Sequence, residues 1–135
     1  MTLADSIMAQ IRAERTTRFG ALGLPEDFIA PNYGGRSIVN VPASIIRLMG
    51  GDIHTAGLDP LILGGLGSGV RRIVLVVADA LGYDKFTEAL DANPQNGFHA
   101  ALRGGGVLAP LTSVFPSTTT AALTALWCGY TPAEH

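Results

Sequence analysis

One cysteine, Cys128, is all the chain contains, so no internal disulfide is available and a reducing compartment fits. Charge is scarce as well: 15% of residues are charged, against roughly 25% in an average soluble domain. With a net charge of -2 there is no basic face, which argues against an extended nucleic-acid surface. A long apolar run is missing too. The longest, IVLVVADALG, contains Asp79 and is too short to cross a bilayer, so no membrane span is expected. The first residues, MTLADSIMAQIRAER, lack a cationic start followed by an apolar core, so no secretory signal is read and the default compartment is the cytoplasm.

What is abundant is hydrophobicity. Apolar residues make up 47% of the 135, and the mean hydropathy is +0.32. One domain with a buried core is expected at this length.

Ile7 and Ile11 give residues 3–19 a helical stripe, with Arg12, Glu14, Arg15 and Arg18 on the solvated side. Gly20, Gly23 and Pro25 end it, and LPEDFIAPNYGGRS reads as irregular. Pro42 suits the first position of a short helix closed by Gly50 and Gly51. Residues 51–69 read as a loop ending in GGLGSG, which precedes a strand and so lacks the context of a dinucleotide fingerprint. Arg72 to Ala78 is a continuous Ile, Val and Leu run, the pattern of a strand covered on both faces. Helices are expected at 83–92, over FHAALR, and from Thr119 to Cys128, with a second short strand over Val107 to Leu111. This alternation predicts an α/β fold with a mostly parallel sheet.

Two features carry chemistry. Asp79 follows the apolar strand, and ligand sites in parallel sheets lie beyond the carboxyl ends of strands. A carboxylate partly desolvated there needs a metal or an ion partner; the plainer alternatives are a cap for the helix near Tyr83 or a pair with an arginine. Ser117-Thr118-Thr119-Thr120 opens a helix, where free N–H groups and the dipole suit phosphate, though Ser and Thr are also ordinary N-caps. His54, His99 and His135 have no zinc-site spacing, and Cys128 and Trp127 read as core.

The string IVLVVADALGYDKF resembles the first strand of the alkaline phosphatase superfamily. SVFPSTTTAALTALWCGYTPAEH resembles the nucleophile segment of its type I phosphodiesterase and nucleotide pyrophosphatase branch, down to the P-x-x-H turn Pro132–His135. In that superfamily the nucleophile stands ten residues before the helix-ending glycine, which leads from Gly129 to Thr119, with Thr118 as the alternative. The branch's usual Thr-Phe-Pro-Asn order is not kept. Val114 stands where threonine is expected, and Phe115-Pro116 precede Ser117, so subfamily and substrate stay open.

The resemblance implies a three-layer α/β/α sandwich, of which residues 1–135 form the N-terminal part of one domain: a helical and loop lead-in over 1–71 and the metal and nucleophile segment over 72–135. It implies that Asp79 and Thr119 ligate two divalent ions, zinc or manganese. Thr119 attacks phosphorus to give a phosphothreonine intermediate, and the backbone near Thr120 binds the phosphate. The substrate would be a phosphate ester or nucleotide-like molecule. Asp79 and Thr119 alone cannot fill a zinc shell of four ligands. The remaining ligands are therefore expected from a C-terminal part of the same polypeptide, the chain alone being metal-free and inactive. A phosphomutase or sulfatase-like transferase of the same superfamily is one alternative, although a sulfatase needs Cys or Ser as nucleophile. A non-catalytic α/β binding module, its threonines merely capping a helix, is another.

Overall fold

The structure, a computed structural model, describes residues 2–25, 27–64, 66–67 and 69–135; of residues 15–19 it describes the backbone. Helix α1, Leu3–Phe19, starts from a capping box in which Thr2 Oγ1 accepts from Asp5 N (3.1 Å) and Thr2 N donates to Asp5 Oδ2 (2.8 Å). Its Ala4, Ile7 and Ile11, spaced three and four apart, form the buried stripe. Arg12 is exposed as expected, whereas the side chains of Arg15 and Arg18 lie outside the described residues. A single 3₁₀ turn, Gly20–Leu22, follows.

Helix α2 is Asn40–Leu48, beginning two residues before Pro42. The loop expected over 51–69 contains a short helix α3, Pro60–Leu63, with Asp59 as N-cap and proline at its first position; Gly65 and Ser68 of GGLGSG lie outside the described residues. Helices α4, Tyr83–Ala92, and α5, Gly97–Arg103, are joined by a T-shaped contact of Phe86 with Phe98, centroids 4.9 Å apart. Helix α6, Thr119–Cys128, ends at Gly129, whose φ of 73° is the left-handed stop that favours glycine.

No three-layer sandwich forms. The described residues are 44% helix and 2% strand, with no sheet. Residues 69–78 run without turn or bend but, among the described residues, their backbone pairs with nothing, and Val107–Leu111 is likewise unpaired there. The single isolated bridge is parallel and joins Ser37 to Thr112. The physical reason is that a strand is stable only where a neighbour takes up its N–H and C=O groups, whatever the β-propensity of its side chains. The two apolar runs have the composition of strands, but neither lies along a partner. Val74 and Val76 are therefore 85% and 82% exposed instead of covered on both faces.

The core forms elsewhere. Val39, Val114 and Ala125 are buried together, with Tyr33, Ile38, Ala121 and Ala122 packed around them, so that α2 and α6 lie against each other. Trp127, expected in this core, is 81% exposed, and Cys128 is half-buried. No helix among the described residues is long and apolar enough to cross a membrane.

The bridge region is the polar counterpart of this core. Ile38 N donates to Thr112 O (3.1 Å) and Thr112 N to Arg36 O (2.8 Å). Asn32 N donates to Thr112 Oγ1 (2.9 Å), while its Nδ2 reaches both carboxylate oxygens of Glu14 at 2.8 Å. Asn40, 1% exposed, donates through Nδ2 to Tyr33 O and Ala56 O and accepts from Ser37 N. The Pro-Asn-Tyr-Gly-Gly-Arg-Ser segment, to which the sequence assigned no role, thus ties α1, α2 and the segment before α6 into one network. Turn-forming composition hid this, since Asn reads equally as a turn former and as a buried linker.

Candidate functional site at Asp79 and Thr119

Helix α6 fixes the hydroxyl side. Thr118 is its N-cap, in extended backbone (φ -74°, ψ 149°), and its Oγ1 accepts from Ala121 N at 3.3 Å. That occupies Thr118 as an ordinary cap. Thr119, the first helical residue, is turned away from this role: its Oγ1 donates to Asp79 Oδ2 at 3.4 Å, across a sequence separation of 40. Thr120 is next, and its carbonyl accepts from Thr124 Oγ1 (2.9 Å). Among the described residues the N–H groups of Thr119 and Thr120 have no protein acceptor, so they stay open at the positive end of the helix.

Asp79 comes from the other side. The chain turns at Ala80, the single non-glycine with positive φ (58°) among the described residues, and Ala80 N donates to Asp79 Oδ1 at 2.9 Å. One carboxylate oxygen is held by this local bond, and the other meets Thr119. The N-cap of α4 is Gly82, so Asp79 does not cap that helix. Nor does it form an ion pair among the described residues. Of the two alternatives weighed for it from sequence, the cap is thus set aside. The expectation of partial desolvation is corrected, however: Asp79, Thr119 and Thr120 are all exposed, because no sheet edge or covering loop stands over them.

Two oxygens bound to one tetrahedral zinc at about 2.0–2.2 Å stand about 3.3–3.6 Å apart, so the 3.4 Å pair suits two of its four positions. The set stops there, since no group of three or more His, Cys, Asp or Glu able to hold a metal occurs among the described residues. His99 is engaged elsewhere, its Nε2 lying 3.0 Å from Leu90 O.

Two hollows flank Phe115. One of about 670 Å³ is bordered by Ser117, Phe115, Tyr83, Lys85 and Asp27. Burial pushes the Tyr83 hydroxyl above its usual value there, and the carboxylates of Asp5 and Asp84 add to the effect. The other, about 730 Å³, is apolar and lined by Leu24, Phe28, Tyr33, Phe115 and Pro132. Phe115 stands between them, edge-on to Phe28 at 6.1 Å, with its N–H donating to Tyr33 Oη at 3.2 Å.

No protein-family model matches the chain, and no curated protein or solved structure matches it either.

Proposed function

We propose that Asp79 and Thr119 are a metal ligand and the nucleophile of a metal-dependent phosphoric-ester hydrolase of the alkaline phosphatase superfamily, with a phosphate ester or nucleotide-like substrate. The observation that carries this reading is the 3.4 Å approach of Thr119 Oγ1 to Asp79 Oδ2, between two motifs singled out independently. The helical architecture lends it no support, so it stands on the site alone.

Asp79 accepts the Thr119 hydroxyl hydrogen and so holds Oγ1 pointing out of the helix start. The N–H groups of Thr119 and Thr120 face the same opening and can receive the phosphoryl oxygens. Oγ1 then attacks phosphorus in line, the P–O bond to the leaving alcohol breaks, and a phosphothreonine forms. Water cleaves that ester in turn, releasing phosphate or a phosphomonoester and restoring the hydroxyl. A zinc or manganese pair, when bound, supplies the positive charge that lowers the hydroxyl pKa and stabilises the attacking and leaving oxygens. Asp79 and Thr119 hold only part of such a shell, and the remaining ligands would come from outside the described residues.

The test uses the gene product as encoded, with Zn²⁺ or Mn²⁺ and aryl mono- and diesters of phosphate. Thr119→Ala should lower kcat by about a thousandfold or more, and quenched reactions should carry phosphate on Thr119. A Thr119→Ala variant that hydrolyses these esters like the parent sinks the proposal.

A non-catalytic module is the second reading, and the Thr118 cap favours it, since that bond explains one hydroxyl of the run without chemistry. It predicts that Thr118→Ala disturbs the molecule while Thr119→Ala changes nothing measurable.

A further inference from the structure

We propose that residues 71–79 pair with the same segment of a second copy of this chain, as an antiparallel two-stranded ladder closing a symmetric dimer. The inference does not rest on the hydrolase reading. It starts from the exposure of Val74 (85%), Leu75 (45%), Val76 (82%) and Val77 (50%), four consecutive apolar residues on both sides of a segment free of turns and bends. Among the described residues the backbone N–H and C=O groups of 71–78 have no protein partner. An open edge of this length, rich in Val and Leu and without proline, is a template for another strand.

Charge selects the occupant and its direction. Arg71 and Arg72 stand at one end of the segment and Asp79 at the other. Both arginines are exposed, and none of the three forms an ion pair among the described residues. A parallel pairing in register would set arginine on arginine and aspartate on aspartate. The antiparallel register with Arg71 opposite Asp79, eight residues apart and so on one face of the ladder, instead gives two opposite-charge pairs related by the two-fold axis. Between them it sets Arg72 against Ala78, Ile73 against Val77, Val74 against Val76 and Leu75 against its own copy on the axis. The segment is complementary to itself, as an isologous interface requires.

In this dimer Arg71 of the second copy reaches Asp79 and competes with Thr119 for its carboxylate. Sedimentation velocity over a wide concentration range tests it. The parent should pass from monomer to dimer, and Arg71→Asp should weaken the dimer about tenfold or more by turning both pairs into like charges. The combined Arg71→Asp, Asp79→Arg exchange restores the opposite charges and should return the dissociation constant to within about threefold of the parent. The Leu75→Pro, Val76→Pro double variant removes a ladder donor whichever of the two N–H groups faces the other copy, and should leave the chain monomeric with its helical circular dichroism intact. A parent that stays monomeric throughout overturns the proposal. So does a dimer that ignores the reversal, or one that the exchange fails to restore.

Discussion

At the scale of single residues, Asn40 is the side chain on which most backbone depends. It is buried to 1% exposure and serves three main-chain groups at once: the carbonyls of Tyr33 and Ala56 and the N–H of Ser37. Truncation would leave the buried Ser37 N–H without its partner and strip the part-buried carbonyls of Tyr33 and Ala56 of theirs, and an unsatisfied buried group costs about 1–3 kcal/mol. Asn40→Ala should therefore destabilise the chain by about 2–3 kcal/mol, read as a lower urea midpoint at unchanged slope. Asn40→Asp keeps the acceptor, but it loses both donors and buries a charge, so it should be no better. If Asn40→Ala unfolds with the parent's midpoint, the network is not holding the loops. Ala80 is a different kind of residue. Its left-handed backbone carries a cost of about 1–2 kcal/mol for a side chain with Cβ, and it stands next to Asp79, where it aims one carboxylate oxygen back at the main chain.

At the scale of elements, the opening of α6 divides the threonine run into separate duties. Thr118 caps, Thr119 meets Asp79, and Thr120 presents an open N–H. Thr118→Ala should cost about 1 kcal/mol of stability, and Thr118→Ser should recover most of it because serine caps equally well. A thermal melt of the three proteins checks this, and an unchanged melting temperature for Thr118→Ala would show that the 3.3 Å bond to Ala121 N contributes nothing. Elements of this local kind were legible in advance. The spacing of Ile7 and Ile11 marks α1, Gly129 marks the end of α6, and the run 83–92 forms the helix expected of it. Both candidate site residues were legible too, each from its place at the end of an apolar run or the start of a helix. Strands are another matter. Residues 72–78 have the composition of one, but a ladder is a property of two segments, and no neighbour lies along them. Buried polar linkers are hidden for a similar reason, because nothing local in Asn32 or Asn40 says which distant carbonyl it will reach.

At the scale of the whole molecule, acid should act through carboxylates engaged at the joints between elements. Asp59 caps α3 through Leu61 N (2.9 Å) and pairs with Arg36 (3.0 Å), bracing the segment that leads into α2 and Asn40. The Leu61 N–H first, and the Arg36 guanidinium second, hold its carboxyl below the ordinary 3.8. Asp5, capped by Thr2, and Glu134, bonded by Thr131, are lowered in the same way. The unfolded chain binds protons more readily at each of these groups. Their stabilisation is therefore fully present above the unfolded pKa values and is lost as pH falls through the lower folded ones. Melting temperature should accordingly be insensitive to these groups near neutrality and should decline below pH about 4. Asp59→Asn removes one of the three, lowering neutral stability by about 1 kcal/mol and flattening the acid limb. Melts of parent and variant at neutral pH and at pH about 3 decide the matter. A gap between the two proteins that stays constant on acidification would mean that Asp59 stabilises the chain by packing and not by its charge.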